Sequence, residues 1–340
     1  MILTATSVVA TAPPAEAAPS WRAQADPVRR GPLPARVRNP LYLTHLQPAF
    51  DRALVLAPGT LHMSFEVDWA NIYDKWARHH AGGGIRRGRI DMEIVRPSAR
   101  VRVGLPAGIE IGLEIPLIAL QGGIADGLIQ SWHHLLKADN GGRNTVQDGG
   151  FQYDVGIPRV AEIVLDRPTE MRLGDVTAEL RVQLVRPSRA LPGIVLGGAL
   201  KVPTGSSAHG AGSGSPDGLF LMSLEHGVGP FAFYGQVGVT LLGRTGPLGE
   251  LLAPAAVTGG FAVELILTRH WSFVVQLRGS SPFHLGFMHP WLSRGPLGIT
   301  FGSRIRVEGL DLALGMEQDV TGADASSDVA VFFRAGVTAP

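Results

Sequence analysis

The sequence has no cysteine among its 340 residues, so the chain has no disulfide, no thiol nucleophile and no cysteine-based metal site. An excess of one charge is also missing, because 30 Lys and Arg face 29 Asp and Glu, and this excludes a general electrostatic attraction to nucleic acid. Beyond the extreme N-terminus no uninterrupted apolar run reaches the length of a transmembrane helix. Hydrophobic residues nevertheless make up 45% of the chain and charged residues only 17%. This composition excludes disorder, and the apolar residues must be dispersed along the chain.

The N-terminal 58 residues lack the periodicity of the rest of the chain. Residues 1–18 combine a short apolar run with small residues, and no Lys or Arg precedes the run. We interpret this segment as a truncated signal peptide. Residues 19–58 are rich in proline and contain several arginines, which predicts an irregular periplasmic segment.

From residue 59 onward, apolar and polar residues alternate as in strands with two unlike faces. The alternation is strict from Leu61 to Trp69, and glycine (44) and proline (25) separate similar segments at short intervals. In one segment we expect a phase slip near Pro97. Twelve segments fit the pattern, and they are residues 61–69, 88–104, 109–115, 175–184, 192–203, 217–226, 230–243, 258–268, 271–280, 297–307, 309–317 and 328–337.

The connections between these segments alternate between long and short. An up-and-down outer-membrane barrel has this arrangement, with long extracellular loops, short periplasmic turns and an even number of strands. A strand of ~10 residues, rising ~3.3 Å per residue and tilted by ~40°, spans the apolar band of an outer membrane. The sequence therefore predicts an all-β fold: a single up-and-down antiparallel transmembrane barrel of about 12 strands over residues 59–338. Its predicted location is the outer membrane of a Gram-negative bacterium.

Several short motifs add a resemblance to this pattern. They are Asn39-Pro40-Leu41, Leu173-Gly174-Asp175-Val176, Lys201-Val202-Pro203-Thr204-Gly205 and the glycine-rich segment 212–218. These motifs resemble those of a proteobacterial family of outer-membrane-type barrels known as a domain of unknown function. That family is similar in turn to the barrel family linked to phenol-degradation meta-pathway operons. The resemblance implies a barrel over roughly residues 39–337 and a role in passing small apolar compounds, with no catalytic residues.

The polar faces of the predicted strands carry many charged residues, and these must avoid lipid, where each would cost ~2 to 4 kcal/mol at the bilayer midplane. The acidic and basic side chains either create a field across an open lumen or pair with each other and fill a narrow one. Both interpretations stay open. The lumen-lining candidates are Glu66, Asp68, Asp91, Glu93, Glu110, Glu114, Asp175, Glu179, Arg181, Lys201, Glu264, Arg278, Arg304, Arg306 and Arg334.

Two long loops carry further candidates. The connection 119–172 contains the one predicted helix, in an extracellular loop, and this helix would plug the barrel mouth, anchor in the membrane interface or pack on neighbouring loops. Its apolar residues at helical spacing are Ile124, Leu128, Trp132 and Leu135. The first long loop carries three candidates for contact with lipopolysaccharide phosphates, because arginine binds phosphate well. They are Arg86, Arg87 and Arg89.

These observations favour a channel or transporter for small compounds, apolar ones included. A structural or adhesive barrel with a filled lumen is the first alternative, and an outer-membrane lipid hydrolase is the second, since His62, Ser64 and Glu66 share one strand face. We predict no catalytic residue, metal site or cofactor. The expected partners are outer-membrane lipid and lipopolysaccharide, a small-molecule cargo, and the barrel-assembly machinery during biogenesis, with no nucleic acid.

Overall fold

The structure is a computed structural model, and it describes residues 29–79, 85–123, 149–157, 161–285, 295–320 and 329–340. Twelve long strands form the wall of one barrel, and each strand is antiparallel to its neighbours. The barrel closes where the first strand pairs with the last, from Leu61 opposite Ala339 to Asn71 opposite Val329. The prediction of an all-β, 12-stranded antiparallel barrel is confirmed. The wall strands are β1 (Leu61–His79), β2 (Ile85–Leu105), β3 (Ile109–Gln121), β7 (Val176–Val185), β8 (Gly193–Val202), β9 (Asp217–Val228), β10 (Phe231–Leu241), β11 (Ala255–Ile266), β12 (Trp271–Ser280), β13 (Leu297–Val307), β14 (Leu310–Asp319) and β15 (Val329–Ala339).

Three further strands belong to the long connection between β3 and β7. They are β4 (Gln152–Ile157), β5 (Ala161–Leu165) and β6 (Thr169–Leu173). Strand β4 pairs with β2 and with β5, and β6 pairs with β3, so they extend the wall beyond the barrel. The predicted helix residues Ile124, Leu128, Trp132 and Leu135 lie outside the described residues. In the part of the chain that the structure describes, no helix has the length and apolar character needed to cross a membrane.

The two faces of the wall differ as the alternation predicts. The outward side chains are mostly apolar and exposed, for example Phe65 at 49% and Phe220 at 67%. The inward side chains of the same strands are mostly polar or small and are buried. An exposed apolar outer face around a polar interior is the arrangement that lipid on the outside favours.

The predicted phase slip in β2 is wrong. Strands β1 and β2 keep one register over their whole length, with Pro97 opposite Val67. Proline is accommodated by a local gap in the next ladder, because the paired positions of β2 and β3 skip from Val95 to Ser98. Without a slip, the odd-numbered residues of β2 all face outward. Asp91 and Glu93 therefore lie on the outer face and not in the lumen. Both side chains are buried on that outer face.

The N-terminal segment, which we expected as an irregular periplasmic lead-in, lies inside the barrel over its described part. We call residues 29–58 the plug. Its side chains and backbone contact inward-facing residues of wall strands all around the barrel, from Asp68 on β1 to Glu264 on β11. The plug is irregular except for one short helix, α1 (Pro40–Leu43). The irregular course of this segment was predicted, but its position was not, because that position depends on contacts with distant wall strands.

Candidate functional site: the plugged lumen

The plug runs up through the lumen and back again. Arg30 hydrogen-bonds to the carbonyls of Thr268 and His270 in a short turn between wall strands. The chain then rises to α1, which lies near the long loops, and returns to the short-turn end, where Gly59 donates to the carbonyl of Gly104. We call residues 29–39 the first leg, residues 40–46 the apex and residues 47–58 the second leg. Both ends of the plug therefore lie at the same end of the barrel.

The apex is folded by its own sequence and buried by apolar contacts. The Asn39 side chain accepts a hydrogen bond from the backbone N–H of Leu41, and Pro40 occupies the first helical position, both of which favour a helix start. The three residues after Pro40 are then buried among apolar side chains from several strands and loops. The ring of Tyr42 packs on that of Phe283, with centroids 4.8 Å apart. Burial of this kind stabilises at roughly 25 cal/mol per Å² of apolar surface.

Two arginines of the first leg are held by wall carboxylates. The Arg38 guanidinium donates two hydrogen bonds to Asp68 Oδ1, at 2.5 and 2.8 Å, and one to Glu317 Oε2 at 3.2 Å. Arg36 lies 3.2 Å from a carboxylate oxygen of Glu114 and 3.6 Å from one of Asp68. Arg38 is 1% exposed, so its charge would be costly to bury without these carboxylates.

The lower parts of both legs repeat the arrangement on the opposite wall. Arg52 makes a two-pronged contact with Glu225, at 2.5 and 3.2 Å. Arg30 lies 3.8 Å from Glu264, which also accepts hydrogen bonds from the backbone N–H groups of Arg30 and Gly31. Plug arginines thus meet wall carboxylates at several heights in the lumen.

The single acidic residue of the plug reverses the pattern. Asp51 lies 2.7 Å from Arg100 and 3.9 Å from Arg102, both on β2. Burial by itself would raise the pKa of the Asp51 carboxyl, but the nearby guanidinium groups outweigh burial and hold that pKa well below its usual range. The plug is therefore charge-complementary to the wall in both signs.

Wall side chains also satisfy much of the plug backbone. Gln276 accepts from Leu33 N at 3.1 Å, and Gln183 both accepts from Val55 N and donates to the carbonyl of Ala53. Among the described residues, no backbone–backbone hydrogen bond joins the plug to a wall strand. The plug therefore lies inside the barrel without forming an extra strand of its sheet.

The two legs are tied to each other. The Gln47 side chain accepts from Val37 N at 2.8 Å and donates to Val37 O at 2.9 Å. Lower down, Arg52 donates to the carbonyl of Arg29 at 2.8 Å. These contacts connect the first and second legs at two heights, so we treat the plug as one unit.

The lysine of the Lys201 motif holds the apex to the wall and to the glycine-rich loop. Its ammonium lies 2.7 Å from Asp175, 3.0 Å from Asp217 and 2.8 Å from the carbonyl of Thr44. Asp175 also accepts backbone hydrogen bonds from Gly205 and Ser213. The motifs that carry the family resemblance therefore meet in space around the plug.

Little space remains between plug and wall. The gaps found there have volumes of about 30, 30 and 20 Å³, each enough for one or two waters. Gly104 shows how closely the parts fit, because any side chain there would collide with the carbonyl of Ala57. The plug therefore fits closely against the wall in this part of the lumen.

The structure places most of the predicted lumen residues on the inner face. Several pair within the wall, such as Arg181 with Glu110 at 2.8 Å and Arg306 with Asp311 at 2.5 Å. Others contact the plug. The inward residues of the predicted set are Glu66, Asp68, Glu110, Glu114, Asp175, Glu179, Arg181, Lys201, Glu264, Arg278, Arg304, Arg306 and Arg334.

The outer-face candidates differ. The side chain of Arg89 lies 2.8 Å from Asp91 and is partly exposed. The side chains of Arg86 and Arg87 lie outside the described residues. Glu93 accepts a hydrogen bond from the Trp69 indole on the same outer face.

Sequence reasoning missed the plug itself and several of its wall partners. The missed residues include Arg36, Arg38, Arg52 and Asp51 of the plug. One signal was present: arginines were concentrated in a proline-rich segment while acids were concentrated on inward strand positions. Opposite charges in two parts of one chain predict a contact between those parts, although not its register.

Hydrolase chemistry finds little support in the described residues. His62 hydrogen-bonds to Thr338 at 2.9 Å and not to Ser64. The one Ser–His contact found there, Ser206 with His209 at 2.8 Å, lies within a single exposed turn and has no carboxylate partner on the histidine. No group of three metal-ligating side chains was found in the same part of the chain.

The fold and the site together define a plugged, up-and-down antiparallel barrel with an apolar exterior. The chain belongs to the family described as "Protein of unknown function (DUF3187)", whose model matches residues 8–335. No curated protein sequence matched the chain.

Solved structures give a likeness of fold. The COG4313 outer-membrane channel from Pseudomonas putida F1 is 11% identical, with a TM-score of 0.55, over 87% of this chain and 100% of that one. The NanC porin is 7% identical, with a TM-score of 0.45, over 82% and 99%. The first of these supports the barrel fold independently of the sequence pattern.

Proposed function

We propose that the protein is a gated channel of the outer membrane, in which the plug holds the lumen closed and its displacement opens a passage for small solutes. The observation that carries the proposal is the topology of the plug. The plug occupies the lumen without joining the sheet, and both of its ends lie at the short-turn end of the barrel. Its hydrogen bonds to the wall strands involve side chains. Such a segment can leave without breaking the wall or threading a chain end through the barrel.

The charged wall favours polar solutes. A passage lined by carboxylates and guanidinium groups offers polar and charged solutes the hydrogen bonds that they lose with water. An apolar solute gains nothing from such a surface. The apolar cargo implied by the family resemblance would therefore need a route other than the lumen, and small polar solutes are the class that we propose.

A structural barrel with a filled lumen is the second candidate, and pairing within the wall favours it. Arg181 with Glu110 and Lys201 with Asp175 are ion pairs that need no plug. Glu225 differs, because its ion pairs in the described residues are with the plug residues Arg29 and Arg52. A barrel that only filled its own lumen would gain more by pairing Glu225 within the wall.

Outer-membrane location and the partners expected from the sequence belong to the same proposal. The exposed apolar outer face supports contact with lipid. Contact of Arg86, Arg87 and Arg89 with lipopolysaccharide is proposed from their residue type and position, and assembly by the barrel-assembly machinery from the fold.

Single-channel recording in planar bilayers tests the gate. We expect the full-length protein to conduct rarely and the double variant Arg36→Ala/Arg38→Ala to conduct more often, because the first leg loses its wall contacts. A matched variant, Arg167→Ala/Arg172→Ala, removes two exposed arginines and should behave as the unaltered protein. Equal conductance of a correctly folded Arg36/Arg38 variant and the unaltered protein would contradict the gate.

A further inference from the structure

The wall position occupied by Arg38 is built as a binding site for a guanidinium group. Asp68 of β1 and Glu317 of β14 accept its hydrogen bonds from two sides. Phe332 of β15 lies beneath it, with the guanidinium carbon 5.1 Å from the ring centroid. Two carboxylates and an aromatic face form a cage that suits a flat cation.

The cage is supported from behind by the wall. Thr300 donates a hydrogen bond to Glu317 Oε2 at 3.1 Å, and Arg96 lies 3.5 Å from Asp68 Oδ2. Asp68, Glu317 and Phe332 are each at most 4% exposed. The site is therefore part of the rigid wall, and the plug supplies only the cation.

The neighbouring wall extends the same chemistry. Arg36 lies within 3.7 Å of Glu66, Asp68 and Glu114. Counted over the described wall, twelve acidic and nine basic side chains face the lumen, so the wall alone has an excess of negative charge. The plug arginines compensate for this excess in the closed state.

We infer that the Asp68–Glu317–Phe332 cage is a solute subsite of the channel, which takes small solutes bearing a guanidinium or ammonium group when Arg38 leaves it. The inference rests on the proposed gate, because the site is filled while the plug is in place. Arg38 then acts as an internal competitor for the solute. A cationic solute that reaches the cage stabilises the open state by occupying it.

The test uses the full-length variant Arg38→Ala with arginine as the probe and citrulline as its control, since the two differ mainly in the charged guanidinium. Arginine should raise the unfolding temperature of the variant in detergent, saturably and at a concentration about tenfold or more below that needed with citrulline. The unaltered protein should show no saturable response. Adding Asp68→Asn and Glu317→Gln to the variant should abolish the response. If Arg38→Ala does not fold, Arg38→Met keeps more of the side-chain volume and permits the same comparison.

Bilayer currents of the same variant separate this inference from the gate. With both correct, the variant conducts, prefers K⁺ over Cl⁻ in a salt gradient, and is blocked saturably by arginine but not by citrulline. If the variant conducts without preferring cations, and arginine and citrulline affect its current equally, the cation subsite is contradicted. The proposed gate is then still supported. An arginine-specific rise in unfolding temperature without any conduction would support the cation cage and contradict the gate.

Discussion

Apolar contacts dominate at the apex of the plug, whereas the legs combine apolar contacts with buried ion pairs. At the apex, Leu41, Tyr42 and Leu43 are buried among apolar side chains near the long loops. Along the legs, Arg36, Arg38 and Arg52 meet wall carboxylates. Apolar burial is non-directional and stabilises in proportion to area. Buried ion pairs gain little net stability but strongly penalise misplacement, since an unpaired charge is costly.

The difference assigns two tasks to the plug. In the proposed gate, the apolar contacts of the apex supply attraction for the closed state, and the ion pairs of the legs fix the depth and register at which the plug sits. A gate needs both properties, because a purely apolar plug would bind in many registers and a purely charged one would bind weakly. The following predictions separate the two contributions, from the largest effect to the smallest.

Removing one partner of a leg ion pair should have the largest effect. Among the described residues, Arg52→Met leaves Glu225 with the more distant Arg29 alone, at 4.0 Å, and we expect a loss of roughly 3 to 5 kcal/mol in unfolding free energy. The double variant Arg52→Met/Glu225→Leu should recover most of that loss, because no unpaired charge remains. Denaturant unfolding followed by tryptophan fluorescence measures both. A double variant as unstable as Arg52→Met would show that the lost unfolding free energy does not come from the unpaired Glu225 carboxylate.

Truncating the apex should cost somewhat less. Leu41→Ala removes a side chain that is 1% exposed and should lose about 3 kcal/mol, within the range of buried leucine truncations. Leu41→Met keeps the volume and should lose less than about 1.5 kcal/mol. The loss should be the same at pH 7 and pH 4, since no titrating group is removed. A strong pH dependence would mean that the apex is not a purely apolar contact.

The leg residue Asp51 should show the opposite pH behaviour. Asp51→Asn removes a charged contact to Arg100 and Arg102 and should lose about 2 kcal/mol at pH 7. Because the pKa of Asp51 is depressed in the folded state, its stabilisation is present above the unfolded pKa of about 3.9 and is lost as the pH falls through the folded value. Unfolding curves of variant and unaltered protein should therefore converge in strong acid. A constant difference down to the lowest accessible pH would contradict an ionised Asp51.

The smallest effect is expected on the outer face. The side chain of Arg89 is 29% exposed and lies 2.8 Å from the buried Asp91, so Arg89→Ala should change the unfolding free energy by only about 1 kcal/mol, because water enters the vacated space and hydrates the Asp91 carboxylate. The change should diminish in high salt. A loss as large as that of Arg52→Met would place Arg89 in a buried network.

The barrel could be predicted from the sequence because a two-residue period records which face of each strand is apolar and points outward. Alternating segments such as Leu61–Trp69 and alternating loop lengths carry that information locally. The phase of β2 could not be predicted, since Pro97 suggested a bulge and the ladder tolerates it without one. The plug could not be predicted either, because its structure comes from contacts with distant strands, such as Arg30 with Glu264, and not from a local pattern.

The inward charges were predicted as a set but not as pairs. The alternating pattern places Asp68 in the lumen, yet its partner is Arg38, which lies outside the predicted barrel. Pairing depends on the shape of the whole lumen, which no segment of the sequence contains.

A reversible tether between plug and wall tests the gate most directly. The chain has no native cysteine, and the Phe50 ring lies against Gly260 of β11, so cysteines placed at both positions are a unique pair for a thiol-cleavable crosslinker. In the Arg36→Ala/Arg38→Ala background, we expect currents before crosslinking, none with the tether in place, and recovery after reduction, because the two legs move together. Currents that persist unchanged through a complete crosslink would show that solutes pass without displacement of the plug.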